Sequence, residues 1–470
     1  MFNTIVAAVN EVLWGKGQVL IYMLLFAGAW FTFKLGFIQL RYFGHMFSLL
    51  KNSRHADQSG ISSFQALCTS LSARVGTGNL AGVAIAISLG GAGAIFWMWV
   101  IAFIGMATGY AESLLGQVYK VRNTNEEFRG GPAYYIKHGL KLPWLAIAFS
   151  LCLLFGYGFI FGATQANTIT DALNYAYGFS EKKSGLVITL LAGLIIVGGL
   201  RAIARFSEIV VPFMSVAYVV LVLGITLFNL SHVPAMLWDI ITSAFGLNEA
   251  AAGTFAAAIK NGIQRGLYSN EAGTGAVPQA AASASPKPNH PASQGFVQML
   301  GVFLDTMVLC TCTAIVILLA GGPSGGEVEG IRLTQDAMTA HVGNYGTHLI
   351  AIAISLFAFT SIVANYAYAE SNLHLFKLDT KVGRLVLTAI FLTMILWGAN
   401  ADLKAVWAAA DMAFGMMAVI NIIAIVMLTP TIVAVSKDYM RKRDARLTMD
   451  FYEDDCAIQG QSEDGVWPRK

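Results

Sequence analysis

Along the chain, apolar residues gather in long runs, and most charged residues fall in the gaps between them. The runs fall near residues 18–40, 64–88, 94–118, 143–177, 185–200, 207–231, 251–285, 294–320, 347–373, 383–400 and 405–435. A hydrocarbon core about 30 Å thick takes roughly 20 apolar residues per helix. The pattern therefore predicts an all-α multi-pass membrane protein with eleven spans. Residues 232–250 read as an amphipathic helix on the membrane surface. The first run is followed by Arg41 and lacks both a basic leader and a small-residue cleavage site, so it reads as a retained helix.

Composition supports this reading. Apolar residues make up 56% and charged ones 12%, against about 45–50% and about 25% in soluble domains. The mean hydropathy is +0.62. With the amino terminus outside, 22 of the 30 Lys and Arg residues fall on the inner side and five on the outer side, as the positive-inside rule requires. Only Arg74, Lys260 and Arg265 stay within spans. The Gly-rich segment 321–346 becomes an outer loop, and 436–470, rich in Asp, Glu and Lys, a solvated cytoplasmic tail. No basic domain suggests nucleic acid. Five cysteines show neither a disulfide framework nor a metal-ligand spacing. The histidines lie mainly in loops or at helix ends, and no metalloprotease or nucleophile-elbow motif is present, which argues against a membrane-embedded enzyme.

Two spans carry residues that suit a continuous buried helix poorly. The second holds Arg74-Val-Gly-Thr-Gly-Asn79, and the seventh holds Ser269-Asn-Glu-Ala-Gly-Thr-Gly275. Glycine is the weakest helix former short of proline, and a break at bilayer depth survives only where protein or a wet cavity surrounds it. Polar groups accompany both breaks: Thr77 and Asn79 in one, Ser269, Asn270, Glu271 and Thr274 in the other. Spans 2–6 and 7–11 form two sets of five, each opening with an interrupted helix. Five is odd, so the second set enters the membrane the opposite way round. Interrupted helices at matching places in inverted repeats point to a transporter's binding site. The expected organisation is an extra helix and loop (1–62), a first five-helix repeat (63–231), a second, inverted one (232–435) and the tail.

A break supplies chemistry of its own. Free N–H groups where a half-helix restarts suit a carboxylate, and orphan carbonyls where the other half ends suit a cation. An amino-acid zwitterion with a sodium ion uses both. Sodium, a hard cation, takes oxygen ligands as calcium and magnesium do. The available oxygens are the Val75 carbonyl, Asn79, Ser269, Asp305, Thr360 and Ser361. Arg74 and Glu271 read as a structural pair or gate contribution, with a direct role in substrate binding left open. Glu271 or Asp305 could instead carry a proton. A passive channel is the rival that saturable counterflow separates from a carrier.

Several phrases carry a family resemblance. Gly90-Gly-Ala-Gly-Ala-Ile-Phe-Trp-Met-Trp99, Ser72-Ala-Arg-Val-Gly-Thr-Gly-Asn-Leu-Ala-Gly82, Phe128-Arg-Gly-Gly-Pro132 and Ser269-Asn-Glu-Ala-Gly273 resemble motifs of the alanine/glycine:cation symporter family. The resemblance covers nearly the whole chain. It implies a bacterial inner-membrane carrier with a five-plus-five inverted-repeat fold and one extra amino-terminal helix. It further implies sodium-coupled uptake of a small neutral amino acid, alanine or glycine, with no cofactor beyond the coupling ion. Thr77, Gly78, Asn79, Phe161, Gln165, Tyr268, Asn270 and Gly273 would meet the substrate or flank it. Where many members of that family carry Gly-Trp in the ninth span, this chain has Ala364-Asn365. Asn365 then leaves a larger or more polar pocket, which keeps serine and glutamine open.

Overall fold

The computed structural model describes residues 2–51, 53–54, 60–247, 254–322 and 330–469. The protein is helical apart from a two-stranded antiparallel hairpin, Val121–Arg122 with Phe128–Arg129. Seven helices among the described residues are long and apolar enough to cross a membrane: Gly93–Val118, Pro143–Tyr177, Gly199–Phe228, Pro291–Leu319, Tyr345–Phe376, Lys381–Gly398 and Leu403–Met427. Shorter apolar helices add to them, among them Val19–Lys34 and Glu181–Ile196.

The helices sort by what covers them. In Gly93–Val118 and Leu403–Met427, 67% of the apolar stretch is buried, whereas Gly199–Phe228 and Lys381–Gly398 bury only 28% and 22%. The last two therefore form the lipid-facing rim, with Ile209, Phe213, Val216 and Val220 pointing outward. A soluble protein rarely exposes so large an apolar face. The buried helix of 26 residues, at about 1.5 Å per residue, spans roughly 39 Å and connects the two faces of the molecule.

The second and seventh spans are interrupted, as the glycines predict. Ser63–Arg74 stops at residues 75–76, and the chain restarts through a wide π turn, Gly78–Gly82, into Val83–Gly90. Thr254–Asn270 stops before residues 271–276 and resumes as Val277–Ala282. The two broken helices run antiparallel. Ile61 exchanges backbone hydrogen bonds with Ser283 and Ser285 at one end, and Gly90 lies against Ala257 and Ala258 at the other.

Four expectations need correction. Residues 436–470 are not a solvated end: Phe451 and Trp467 are buried, and Trp467 Nε1 donates to the Gln117 carbonyl at 3.1 Å. Three buried aromatic side chains, Tyr439, Phe451 and Trp467, in an otherwise highly charged stretch anchor it to the body of the protein. The last span ends at Met427, because Pro430 starts a separate helix, Thr429–Asp444. Segment 321–346 is not a plain loop but contains the helix Ile331–Val342, which packs against the start of Tyr345–Leu373; 323–329 lie outside the described residues. Amphipathic Phe2–Leu13, ahead of the first apolar run, is an additional helix.

Candidate functional site

A break in a membrane helix leaves backbone groups that need partners. At the first break, the Gly76 N–H donates to Asn79 Oδ1 at 3.0 Å, and the Thr77 N–H and hydroxyl both donate to Gln165 Oε1, at 2.9 and 2.6 Å. Ser361 Oγ donates to the carbonyls of Ser72 (2.7 Å) and Val75 (3.3 Å). Thr334, from the helix in the supposed loop, donates to the Leu80 carbonyl at 3.0 Å. The break is thus held by three other helices. Gly78 is required by proximity: a Cβ there would sit 3.2 Å from the Ser269 Cα.

At the second break, Glu271, Gly273 and Gly275 have φ of +56°, +89° and +83°. The left-handed region is easy for glycine and strained for glutamate. Glu112, from the middle of Gly93–Val118, accepts from the N–H groups of Gly273 and Gly275, each at 3.1 Å. Asn421 Nδ2 donates both to Glu112 Oε2 (2.8 Å) and to the Gly273 carbonyl (3.0 Å), while Tyr135 donates to Asn421 Oδ1. Three donors meet this carboxyl group, which ties the break together.

Between the breaks, three of the expected ion ligands converge. Asn79 Nδ2 donates to Asp305 Oδ1 (2.8 Å) and Ser269 Oγ (3.2 Å), and Ser269 Oγ donates to Asp305 Oδ2 (2.5 Å). Thr306 adds a donor to Asp305 Oδ2 at 2.8 Å. Asp305 lies in a π-helical stretch, Phe303–Cys310, and π turns concentrate at functional sites. A second oxygen cluster gathers round Ser361: the Ser72 and Val75 carbonyls, and the Phe357 carbonyl, which accepts from both Ser361 and Thr360. The Thr360 hydroxyl makes no bond to Val75; it lies between Phe357 and Met214.

Ala73, Arg74, Phe161, Gln165, Tyr268, Glu271, Asn365 and Phe414 enclose a chamber closed down to about 10 Å³, space for one water at most. Arg74 and Glu271 both line it but make no direct ion pair. Arg74 Nη2 donates to Gln298 at 3.4 Å, leaving Nε and Nη1 unpartnered, and Glu271 Oε1 accepts from Tyr157 at 2.8 Å, leaving Oε2 unpartnered. Phe161 stacks on Phe414 at 4.1 Å, and Tyr268 lies against Phe414 and Trp407 at 4.9 and 4.7 Å. Asn270 does not line the chamber; its Oδ1 accepts from the Ala272 N–H within the break.

Sequence reasoning missed Glu112, Tyr157, Gln298, Thr334, Phe414 and Asn421. Glu112 had a signal. A lone carboxylate in an apolar span is as costly as Glu271 or Asp305 and points to function for the same reason.

The chain matches the model of the sodium:alanine symporter family over residues 1–453. It is 41% identical to the amino-acid carrier protein AlsT of Bacillus subtilis, covering 94% of this chain and 93% of that one. It is 39% identical to the probable sodium/glutamine symporter GlnT of the same organism, covering 99% and 96%. It is 37% identical to the sodium/alanine symporter AgcS of Methanococcus maripaludis, covering 95% and 99%. Apolar helices, two polar breaks and matches along nearly the whole chain agree: this is a multi-pass membrane protein belonging to the sodium:alanine symporter family, transporters that couple amino-acid movement to a cation and are not enzymes.

Proposed function

We propose that the protein carries a small neutral amino acid, alanine or glycine, into the cell together with sodium, by alternating access. The observation that carries this reading is the meeting of two antiparallel helix breaks. Gly78 packs on Ser269, with Asn79 and Asp305 bridging the junction. In this scheme the substrate occupies the chamber of Phe161, Gln165, Tyr268 and Asn365, opened by movement of the Phe161–Phe414 stack. Its carboxylate takes the N–H groups where the chain restarts at Thr77–Gly78. Sodium takes oxygens at Asp305 and Ser269, where Asn79 presents its Nδ2 donor and no oxygen, or at Ser361 with the Ser72 and Val75 carbonyls.

The protein sits in the bacterial inner membrane with its amino terminus outside and its carboxyl terminus in the cytoplasm. Eleven spans arrange as two inverted sets of five behind one extra helix, and one set rocks against the other. One charge moving down 100 mV supplies about 2.3 kcal/mol, and a tenfold sodium gradient about 1.4 kcal/mol more. Together, about 3.7 kcal/mol supports accumulation on the order of five-hundred-fold. A second reading, a larger polar substrate such as glutamine or serine, is favoured by Asn365 in the chamber wall and by the similarity to GlnT, a probable sodium/glutamine symporter. Uptake into proteoliposomes with an imposed inward sodium gradient tests both. Sodium-dependent accumulation of alanine or glycine above glutamine supports the first reading, and the reverse order supports the second. Uptake unchanged when choline replaces sodium rejects sodium coupling.

A further inference from the structure

Besides the central chamber, the described residues enclose a vestibule of about 720 Å³, within the size range of ligand pockets. It opens at the face that carries Phe2–Leu13 and the start of Thr254–Asn270. At its floor Arg265 Nη2 pairs with Asp411 Oδ2 at 2.7 Å, with side chains 7% and 11% exposed. Two further donors of this guanidinium, Nε and Nη1, have no partner, and neither does Trp407 Nε1. All three residues line the cavity. Unpaired buried donors are costly, and an Arg fork matches a carboxylate. The ion pair also ties Thr254–Asn270 to Leu403–Met427 beside Tyr268 and Trp407, whose packed rings stand as a lid between the vestibule and the central chamber. Trp407 lies 4.7 Å from Tyr268, which itself lines the central chamber.

We propose that this floor is a second binding site for the amino-acid substrate, an acquisition site that the zwitterion occupies before entering the central chamber. The substrate carboxylate takes the free Arg265 donors and Trp407 Nε1–H, and its ammonium takes the Asp411 carboxylate. The substrate thereby exchanges partners with the Arg265–Asp411 pair and unlatches the two helices over the Tyr268–Trp407 lid. The walls favour arrival of the carboxylate end: Lys260, Arg265 and Lys404 line the vestibule against Glu11 and Asp411. This inference rests on the amino-acid reading above.

Equilibrium binding of labelled L-alanine and L-glutamine to the purified full-length protein in sodium buffer tests it. Wild type should bind two equivalents per chain of the amino acid it transports. Two variants should bind one: Arg265→Gln/Asp411→Asn, which neutralises the pair as a unit, and Ser88→Trp, which fills the vestibule from its exposed rim without touching the pair. The second variant keeps the test open if the first folds poorly. One equivalent in wild type, or two retained by Ser88→Trp, overturns the acquisition site while leaving the amino-acid reading standing. No binding of either amino acid overturns that reading and the second site with it.

Discussion

Replacing Glu112 by Gln changes one atom and attacks the tie that holds the second break. The carboxylate accepts from Gly273 N–H, Gly275 N–H and Asn421 Nδ2, and all three are donors. A glutamine amide keeps one acceptor and presents an NH₂ group to at least one of these donors. A hydrogen bond to a charged group is worth about 1.5–3 kcal/mol, and an unsatisfied buried donor costs about 1–3 kcal/mol. Losing one such bond and orphaning one N–H therefore destabilises by about 2.5–6 kcal/mol, a large part of the roughly 5–15 kcal/mol that holds a typical protein folded. Thermal unfolding of the detergent-purified variant, with sodium-driven uptake measured on the same preparation, checks this. The expected result is a clear fall in Tm with uptake strongly reduced, and Glu112→Ala worse than Glu112→Gln. Wild-type Tm and uptake in both variants would refute the view that Glu112 holds the break.

Three further outcomes are expected. Ser361→Ala removes one oxygen from the cluster with the Ser72 and Val75 carbonyls. It should raise the sodium concentration for half-maximal uptake by about tenfold, roughly 1.4 kcal/mol; an unchanged sodium dependence removes this cluster from the ion path. Trp467→Ala deletes a buried side chain that anchors the carboxyl-terminal segment and should cost up to about 3–5 kcal/mol, read as a lowered Tm and faster proteolysis after Asp450. His290 accepts from the Ala292 N–H through Nδ1 and lies 3.2 Å from Asp438 through Nε2. Burial pushes its pKa below 6.5 despite Asp438, so the folded protein holds it neutral. Stability should then fall as pH drops below about 6.5, and His290→Gln should flatten the decline in Tm between pH 7 and 5.

The seven long apolar helices were legible because bilayer thickness sets a minimum length for an apolar run that crosses it. Pro143–Tyr177 reproduces the expected bounds 143–177. The breaks were legible because glycines and polar residues at that depth have few other uses, although Ser269 and Asn270 remain helical and the irregular backbone starts at Glu271. What escaped was long-range pairing. Nothing local ties Glu112 to Gly273, Thr334 to Leu80 or Trp467 to Gln117, residues 161, 254 and 350 positions apart. The tail was misread because its charge density outweighs a few aromatic side chains on any compositional scale, while burial of Tyr439, Phe451 and Trp467 decides where it docks. Arg74 and Glu271 suggested a pair by charge alone, yet Gln298 and Tyr157 are their nearer partners.

The central claim is that the amino acid in the closed chamber and sodium at the adjoining helix breaks bind as one linked unit. Binding linkage tests it most directly: alanine affinity of the purified protein measured with and without saturating sodium, and sodium affinity with and without saturating alanine. Coupling through a shared site makes the two factors equal and on the order of 5–150-fold. Alanine affinity that is the same in sodium and in choline would contradict the account.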